Sequence, residues 1–465
     1  MIPATALSMR AEHYARIYRH LFPGDGLEAA AVLICTKVPA PRLRLLVHDV
    51  VLVPYAECAV REPDQIVWPG SAIEEAIDRA DSKNLTLMLV HSHPGGMFEF
   101  SDLDDRSDRL TIPNIFHSHG THHGSAIMTP DGAMLARVYG HDMSPNVLDV
   151  VSVAGDDLRW WWSDGKYKQR PLAFTNETKE ELSRLVACVV GVSGTGSLVA
   201  EQLARLGFGQ VQLIDFDRVE ERNLNRIINT TYADAASERL KVDVFAHAIA
   251  SYRGDQVAIP LASSINSRDA VTLASQADVL FCCVDTLEAR YICDLIAASF
   301  LIPFFDVGVA IPTRRQGKGS AIADVCGRID YVRPGGCTLQ DRGVYTPETL
   351  RAEYLSSVSP QSHDEEVQNG YLKGVVEQAP SVITLNMRAA SACVMEFVAR
   401  VYPFRHDPNS EYVRTAFSLA DGEEERFAES SFSRSLNVVL ARGDEEPLLG
   451  LPSLRSLTTE VSHAA

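Results

Sequence analysis

The segment 186–217, VACVVGVSGTGSLVAEQLARLGFGQVQLIDFD, constrains this chain more than any other. An apolar run meets a glycine turn, a helical stretch follows, and a second apolar run ends in acidic residues. That is one complete βαβ unit, which commits the region to a parallel sheet with helices on its faces. The runs 277–285 (ADVLFCCVD) and 302–309 (IPFFDVGV) continue the alternation, and 381–402 reads as a long amphipathic or buried helix. Ahead of this region, 28–37, 43–54 and 85–90 read as strands and 73–80 as a helix. Strand-like sequence returns at 125–139 around a Pro-Asp-Gly turn. The expected organisation is an α+β domain over 1–150, a linker over 151–177 at the tryptophan cluster, an α/β domain over 178–402, and a C-terminal extension of it over 403–465.

Two clusters of polar residues interrupt this apolar framework. The first is VHSHPGGMFEFSDLDD, residues 90–105. His91 and His93 are two apart at the end of a strand, so the period of two puts both imidazoles on one face, where they can grip one ion. Asp104 can add a hard oxygen ligand. Two histidines and a carboxylate leave a fourth position on zinc for water. Ser101 is placed to cap the following helix, and its hydroxyl to stabilise a developing oxyanion. A general base is still needed. Glu28 in GLEAAAVLICTK heads a strand that can neighbour the metal strand, and Glu57 is held in reserve. A further cluster, His117, His119, His122 and His123, reads either as a second metal site or as a solvated loop rimming the substrate groove.

The second cluster surrounds the glycine turn. Gly191, Gly194 and Gly196 let phosphate approach a helix N-terminus. Asp215 at the end of the next strand also suits a nicotinamide dinucleotide. The residues after it, DFDRVEERNLNRIINT, argue for ATP instead. Asp217, Asn223 and Arg226 crowd one stretch, and Lys241 adds a cation, as neutralising a triphosphate and holding Mg²⁺ requires. Asp285 ends a strand where the ligand crevice of an open α/β sheet lies.

The complete string H-x-H-P-x6-S-x2-D resembles the JAMM, or MPN+, metalloproteases over about 25–140. That resemblance implies a cytidine-deaminase-like α/β fold and hydrolysis of isopeptide or peptide bonds after ubiquitin-like modifiers. It also implies Zn²⁺ on His91, His93 and Asp104, Ser101 at the oxyanion and Glu28 as base. The string D-x-D-x5-N-L-x-R, with the glycine turn, resembles the ThiF/MoeB/ubiquitin-activating (E1) superfamily over about 165–402, a Rossmann-like α/β fold. There it implies Asp215 on the ribose, Asn223, Arg226 and Lys241 on the phosphates, and Asp285 on Mg²⁺. The segment 371–397, with its Ala-Pro-Ser, resembles a later part of that family. Arg170 resembles an arginine that related homodimers lend to the partner's ATP site. The family's glycine loop commonly has glycine where Ser193 stands, and a serine forced into left-handed backbone would cost stability.

Cys337, in RPGGCTLQD, follows a Pro-Gly-Gly turn between polar neighbours and is the expected thioester nucleophile if one exists, with Arg333 favouring its thiolate. The alternative makes it structural, a remnant of a zinc C-x-x-C whose second cysteine is Gln340 here. Nine cysteines with no C-x-x-C pair suit a reducing compartment. No export signal or membrane run is legible, so a cytoplasmic location is expected. A net charge of -18 argues against general nucleic-acid binding.

Together the two resemblances imply one enzyme of a prokaryotic ubiquitin-like pathway, tied in some bacteria to phage defence. It would use ATP, Mg²⁺ and Zn²⁺ to process or deconjugate a modifier and to adenylate its terminal glycine. The expected partners are the modifier, an E2-like protein and a second copy of the chain. Two other readings stand beside this: a sulfur-carrier or peptide-modifying adenylyltransferase with no thioester step, and an interaction scaffold with one site inactive.

Overall fold

In a computed structural model, which describes residues 1–80, 85–117, 120–316, 319–358 and 382–456, the chain divides into two units. One holds Pro3–Pro171, Ser299–Leu301 and the residues from Val439 onward; the other holds Met1–Ile2, Leu172–Ala298 and Ile302–Val438.

The first unit is built on a nine-stranded sheet. Its strands are β1 (Thr5–Arg10), β2 (Ala30–Lys37), β3 (Leu43–Leu52), β6 (Thr86–Ser92), β7 (His123–Met128), β8 (Met134–Tyr139), β9 (Pro145–Val147), β10 (Val150–Ala154) and β11 (Leu158–Trp162). The order is β11-β10-β1-β3-β2-β6-β7-β8-β9, and a separate ribbon pairs β4 (Val60–Arg61) with β5 (Ile66–Val67). Strand β2 carries the buried run Ala30–Cys35 because both its faces are covered. One face packs with helix α1 (Ala11–Leu21) through Leu7, Ile17 and Leu33. The other packs with α2 (Ser71–Arg79) and α3 (Asp102–Ile115) through Val32, Ala76 and Ile112.

The stretch read as a linker, 151–177, begins with sheet. Val150–Ala154 pairs parallel with β1, and Leu158–Trp162 returns antiparallel against it. Its tryptophans are core: Trp161 is buried and stacks on Tyr14. The expected C-terminal extension is likewise divided. Residues up to Val438 stay with the second unit, whereas Thr36 donates to the carbonyl of Ala441 and the Asp444 N–H to that of Lys37 in the first.

The second unit is the α/β domain foreseen. Its eight-stranded sheet runs β14-β13-β12-β15-β16-β19-β20-β21. The strands are β12 (Val186–Val190), β13 (Gln210–Ile214), β14 (Ala258–Leu261), β15 (Val279–Cys282), β16 (Phe304–Ala310), β19 (Cys326–Val332), β20 (Arg414–Ser418) and β21 (Glu423–Phe427). Strands β14 to β16 in that order are parallel; β19 to β21 are antiparallel. A small ribbon of β17 (Thr313–Gln316) and β18 (Gly319–Ile322) lies apart. Cys188, Cys282, Cys293 and Cys393 are buried core residues. The Ala-Pro-Ser segment lies outside the described residues.

Candidate metal centre and candidate nucleotide site

At the end of β6 the register places His91 opposite Ala30 of β2, so Glu28 lies just upstream of its paired neighbour. The ligand atoms of Glu28, His91 and His93 all lie within 4.8 Å of one another. The two imidazole Nε2 atoms are 3.0 Å apart. Asp104 completes the group: its Oδ1 is 3.0 Å from His91 Nε2 and its Oδ2 is 3.5 Å from His93 Nε2. His93 Nδ1 lies 2.8 Å from the carbonyl of Met97. That acceptor fixes the tautomer with the proton on Nδ1, leaving the Nε2 lone pair aimed inward. Two imidazoles and a carboxylate converging on one point fit a divalent zinc-like cation.

Ser101 caps α3, as the sequence predicts. Its hydroxyl accepts from the Asp104 N–H at 3.2 Å and donates to Asp104 Oδ2 at 2.9 Å, while its own N–H donates to the same oxygen at 2.6 Å. The hydroxyl expected at an oxyanion is therefore engaged with the carboxylate beside it. Burial opposes charge on Asp104, but hydrogen bonds from the two histidines and Ser101 hold it well below the usual carboxylate range. Glu28 has no such donors. It is 6% exposed, and burial pushes it up to about 7, a value suited to a base working near neutrality. These residues open on a cavity of about 760 Å³ walled by Ile66, Trp68, Ile73 and Leu103. The 63–73 wall escaped the sequence reading; its one signal is Trp68 before a Pro-Gly pair.

The second histidine cluster is divided: His117 is exposed, as a solvated loop would have it, whereas His123 is core. His123 is fully buried, and its Nδ1 accepts from the Leu87 N–H at 3.1 Å. His122 lies beside the Thr121 hydroxyl, and His119 is outside the described residues.

In the second unit, Gly191 follows β12 at φ +84°, a conformation that favours glycine. A side chain on Gly196 would collide with the Gly191 carbonyl, which is why the turn closes so tightly. Ser193 has φ -105°, so the departure from glycine costs no backbone strain. The helix Gly194–Leu206 then starts without a side-chain cap, leaving first-turn amides available to an anion. The next helix along the crevice, Leu287–Ser299, differs: Glu353 accepts from the N–H groups of Leu287 and Glu288.

Asp215 binds the turn directly. Its Oδ2 accepts from the Val192 N–H at 2.7 Å and its Oδ1 from the Asp217 N–H at 2.8 Å. Burial raises its pKa, against Lys241 and those N–H groups. Lys241 pairs with Asp217 at 2.7 Å. The Arg226 stem lies against Gly194. Asn223 is buried and accepts from the Glu220 N–H in a local cap. Asp285 is exposed, three residues beyond the end of β15 rather than within it. The Cys283 carbonyl that precedes it lies against Gly191. A cavity of about 640 Å³ opens beside Leu287 and Arg290, with Val309, Phe417, Glu423 and Glu425 in its wall.

One expectation fails here. Cys337 is 1% exposed, and its thiol is pushed up to about 11, by burial first and then by the Glu429 carboxylate, which also accepts from the Cys337 N–H. A buried thiol beside an anion is a poor nucleophile. Arg170 belongs to the first unit, where it pairs with Asp157 at 3.6 Å.

The ThiF family matches residues 167–419, and the family of prokaryotic homologues of the JAB domain matches residues 10–113. Similar relatives include ubiquitin-like modifier-activating enzyme 5 of Drosophila willistoni, 29% identical over 169 residues, 34% of this chain and 38% of that protein. The Xenopus laevis protein of the same name is 30% identical over 131 residues, 24% of this chain and 31% of the relative. The chain thus spans well under half the length of these relatives. Among solved structures, E. coli MccB with ATP aligns with a TM-score of 0.42 and 15% identity, covering 57% of this chain and 70% of that one. The chain belongs to the ThiF family and carries, ahead of its ThiF domain, a domain of the prokaryotic JAB type.

Proposed function

We propose that this chain adenylates the C-terminal carboxylate of a small ubiquitin-like or sulfur-carrier-like protein, without a thioester step, and that its JAB unit hydrolyses a peptide or isopeptide bond at such a tail. The observation that carries the reading is the nucleotide crevice. An uncapped helix N-terminus at Gly194 stands with Asp215, Lys241 and Arg226 around one glycine turn. The burial of Cys337 supports adenylation alone over an E1 with a thioester on that residue.

In this reading the turn's amides and the cations Lys241 and Arg226 hold the phosphates, and Asp215 holds the ribose. Asn223 caps its turn through Oδ1 and keeps its Nδ2 amide to donate to the phosphates. Mg²⁺ held by Asp285 would offset phosphate charge. The 640 Å³ cavity receives the extended tail, whose terminal carboxylate displaces pyrophosphate from ATP.

In the JAB unit, zinc on His91, His93 and Asp104 would supply a Lewis acid and lower the pKa of its water. Glu28, buried and raised to about 7, is the group that would accept a proton from the attacking water and donate it to the leaving nitrogen. Ser101 keeps Asp104 turned toward the histidines. The partners are the modifier and, where conjugation follows, an E2-like protein; a homodimer is the proposed assembly. ATP–pyrophosphate exchange with a small protein encoded beside this chain's gene tests the reading. Exchange that depends on that protein, with stoichiometric zinc on the enzyme, supports it. Nucleotide binding without exchange contradicts it.

A further inference from the structure

We infer that Arg137 is a positioning residue of the metal centre, acting through the helix that presents Asp104. This rests on the zinc reading above. Arg137 lies on β8 and is 4% exposed. Its guanidinium engages three points around Asp104. Its carbon stands 3.9 Å from the centre of the Phe100 ring, the residue before the helix cap. Its Nη1 is 2.5 Å from Asp105 Oδ1, the residue after the ligand. Its Nη2 and Nε reach Asp108 Oδ2 at 2.8 and 3.0 Å, one turn further along α3.

The same Asp108 oxygen accepts from Ser125 at 2.5 Å and Tyr139 at 2.9 Å, so β7 and β8 both hold the first turns of α3. Asp108 and Ser125 line the cavity that contains His91, His93 and Asp104. The loop between the histidines and α3 is pinned as well. Phe98 packs on the main core under Lys168, whose Nζ is 3.7 Å from the ring centre. Met97, next to Phe98, supplies the carbonyl that orients His93.

A buried ion pair adds little net stability compared with apolar packing of the same volume. What a planar five-donor fork adds is direction. Here that direction fixes a helix start against the sheet to which His91 belongs. Metal affinity is sensitive to such outer contacts, which typically change it 10- to 100-fold.

The test compares wild type with R137K and with the double variant R137M/D108L, which removes the pair without stranding a buried charge. Zinc affinity is measured by chelator competition, and the absorption bands of the cobalt(II)-loaded protein report ligand geometry. The expected result is zinc binding weaker by about tenfold or more and shifted cobalt bands, in variants whose metal-free melting stays near wild type. D105N, which leaves Asp108 paired, is the fallback if neither folds; its expected loss is smaller but in the same direction. Folded variants with wild-type affinity and bands overturn the positioning role alone. Failure of wild type to bind zinc overturns the metal centre, and this role with it.

Discussion

Cys337 and Asp294 show how residues of ordinary type acquire unusual chemistry from distant partners. The Pro-Gly-Gly turn made Cys337 look exposed, but Glu429, far along the chain, covers it and repels its thiolate. The C337A variant should therefore retain ATP–pyrophosphate exchange within about twofold, since it removes no group that touches the substrates. Asp294 is fully buried and accepts from Tyr345 and Leu339, while its Oδ1 has no partner. Burial raises it from 3.8 to about 7. A carboxylate whose folded pKa lies above its unfolded one binds more protons when folded. Its contribution is thus favourable below about 4 and is lost as pH rises to about 7. D294N removes that dependence. Its melting temperature relative to wild type should rise by several degrees between pH 5 and pH 8, read by thermal denaturation at both. The two candidate clusters were legible because polar residues at fixed spacing mark them against the apolar framework; burial by Glu429 has no local signature. Arg137 left only a faint one, a single charge within the otherwise buried run MLARVY.

At the scale of elements, the βαβ unit was legible throughout, because glycine positions and apolar periodicity there answer to the same geometry. Gly196 lies where a methyl group would meet the Gly191 carbonyl. G196A should cost roughly 1–3 kcal/mol by overpacking and weaken ATP binding at least tenfold by calorimetry. Gly95, in the loop after the metal histidines, has open space around it and no left-handed φ. G95A should leave zinc affinity unchanged. What the sequence did not yield was pairing between distant strands. Val150–Ala154 and Leu158–Trp162 read as a junction because aromatic clustering and a following polar stretch mimic one, while β1, the strand that joins Val150–Ala154 to the sheet, lies at the other end of the domain. Likewise the mixed segment after Val438 shows no periodicity that would assign it to the first unit, where hydrogen bonds with Thr36 and Lys37 of β2 hold it.

For the whole molecule, the account assigns one chemistry to each unit, and the two should be separable. H93A should lose zinc in elemental analysis while keeping pyrophosphate exchange. D285N should do the reverse, with exchange reduced on the order of 100-fold, the typical loss when one transition-state electrostatic group is removed. Loss of both activities from either substitution would argue against independent sites. The central claim is that the second unit adenylates without a covalent acyl-enzyme. Intact-mass spectrometry of the enzyme incubated with its modifier, ATP and Mg²⁺, with and without reductant, tests it most directly. The account predicts modifier heavier by one AMP and an enzyme of unchanged mass in both samples. A reductant-sensitive enzyme–modifier adduct that disappears in C337A would contradict it.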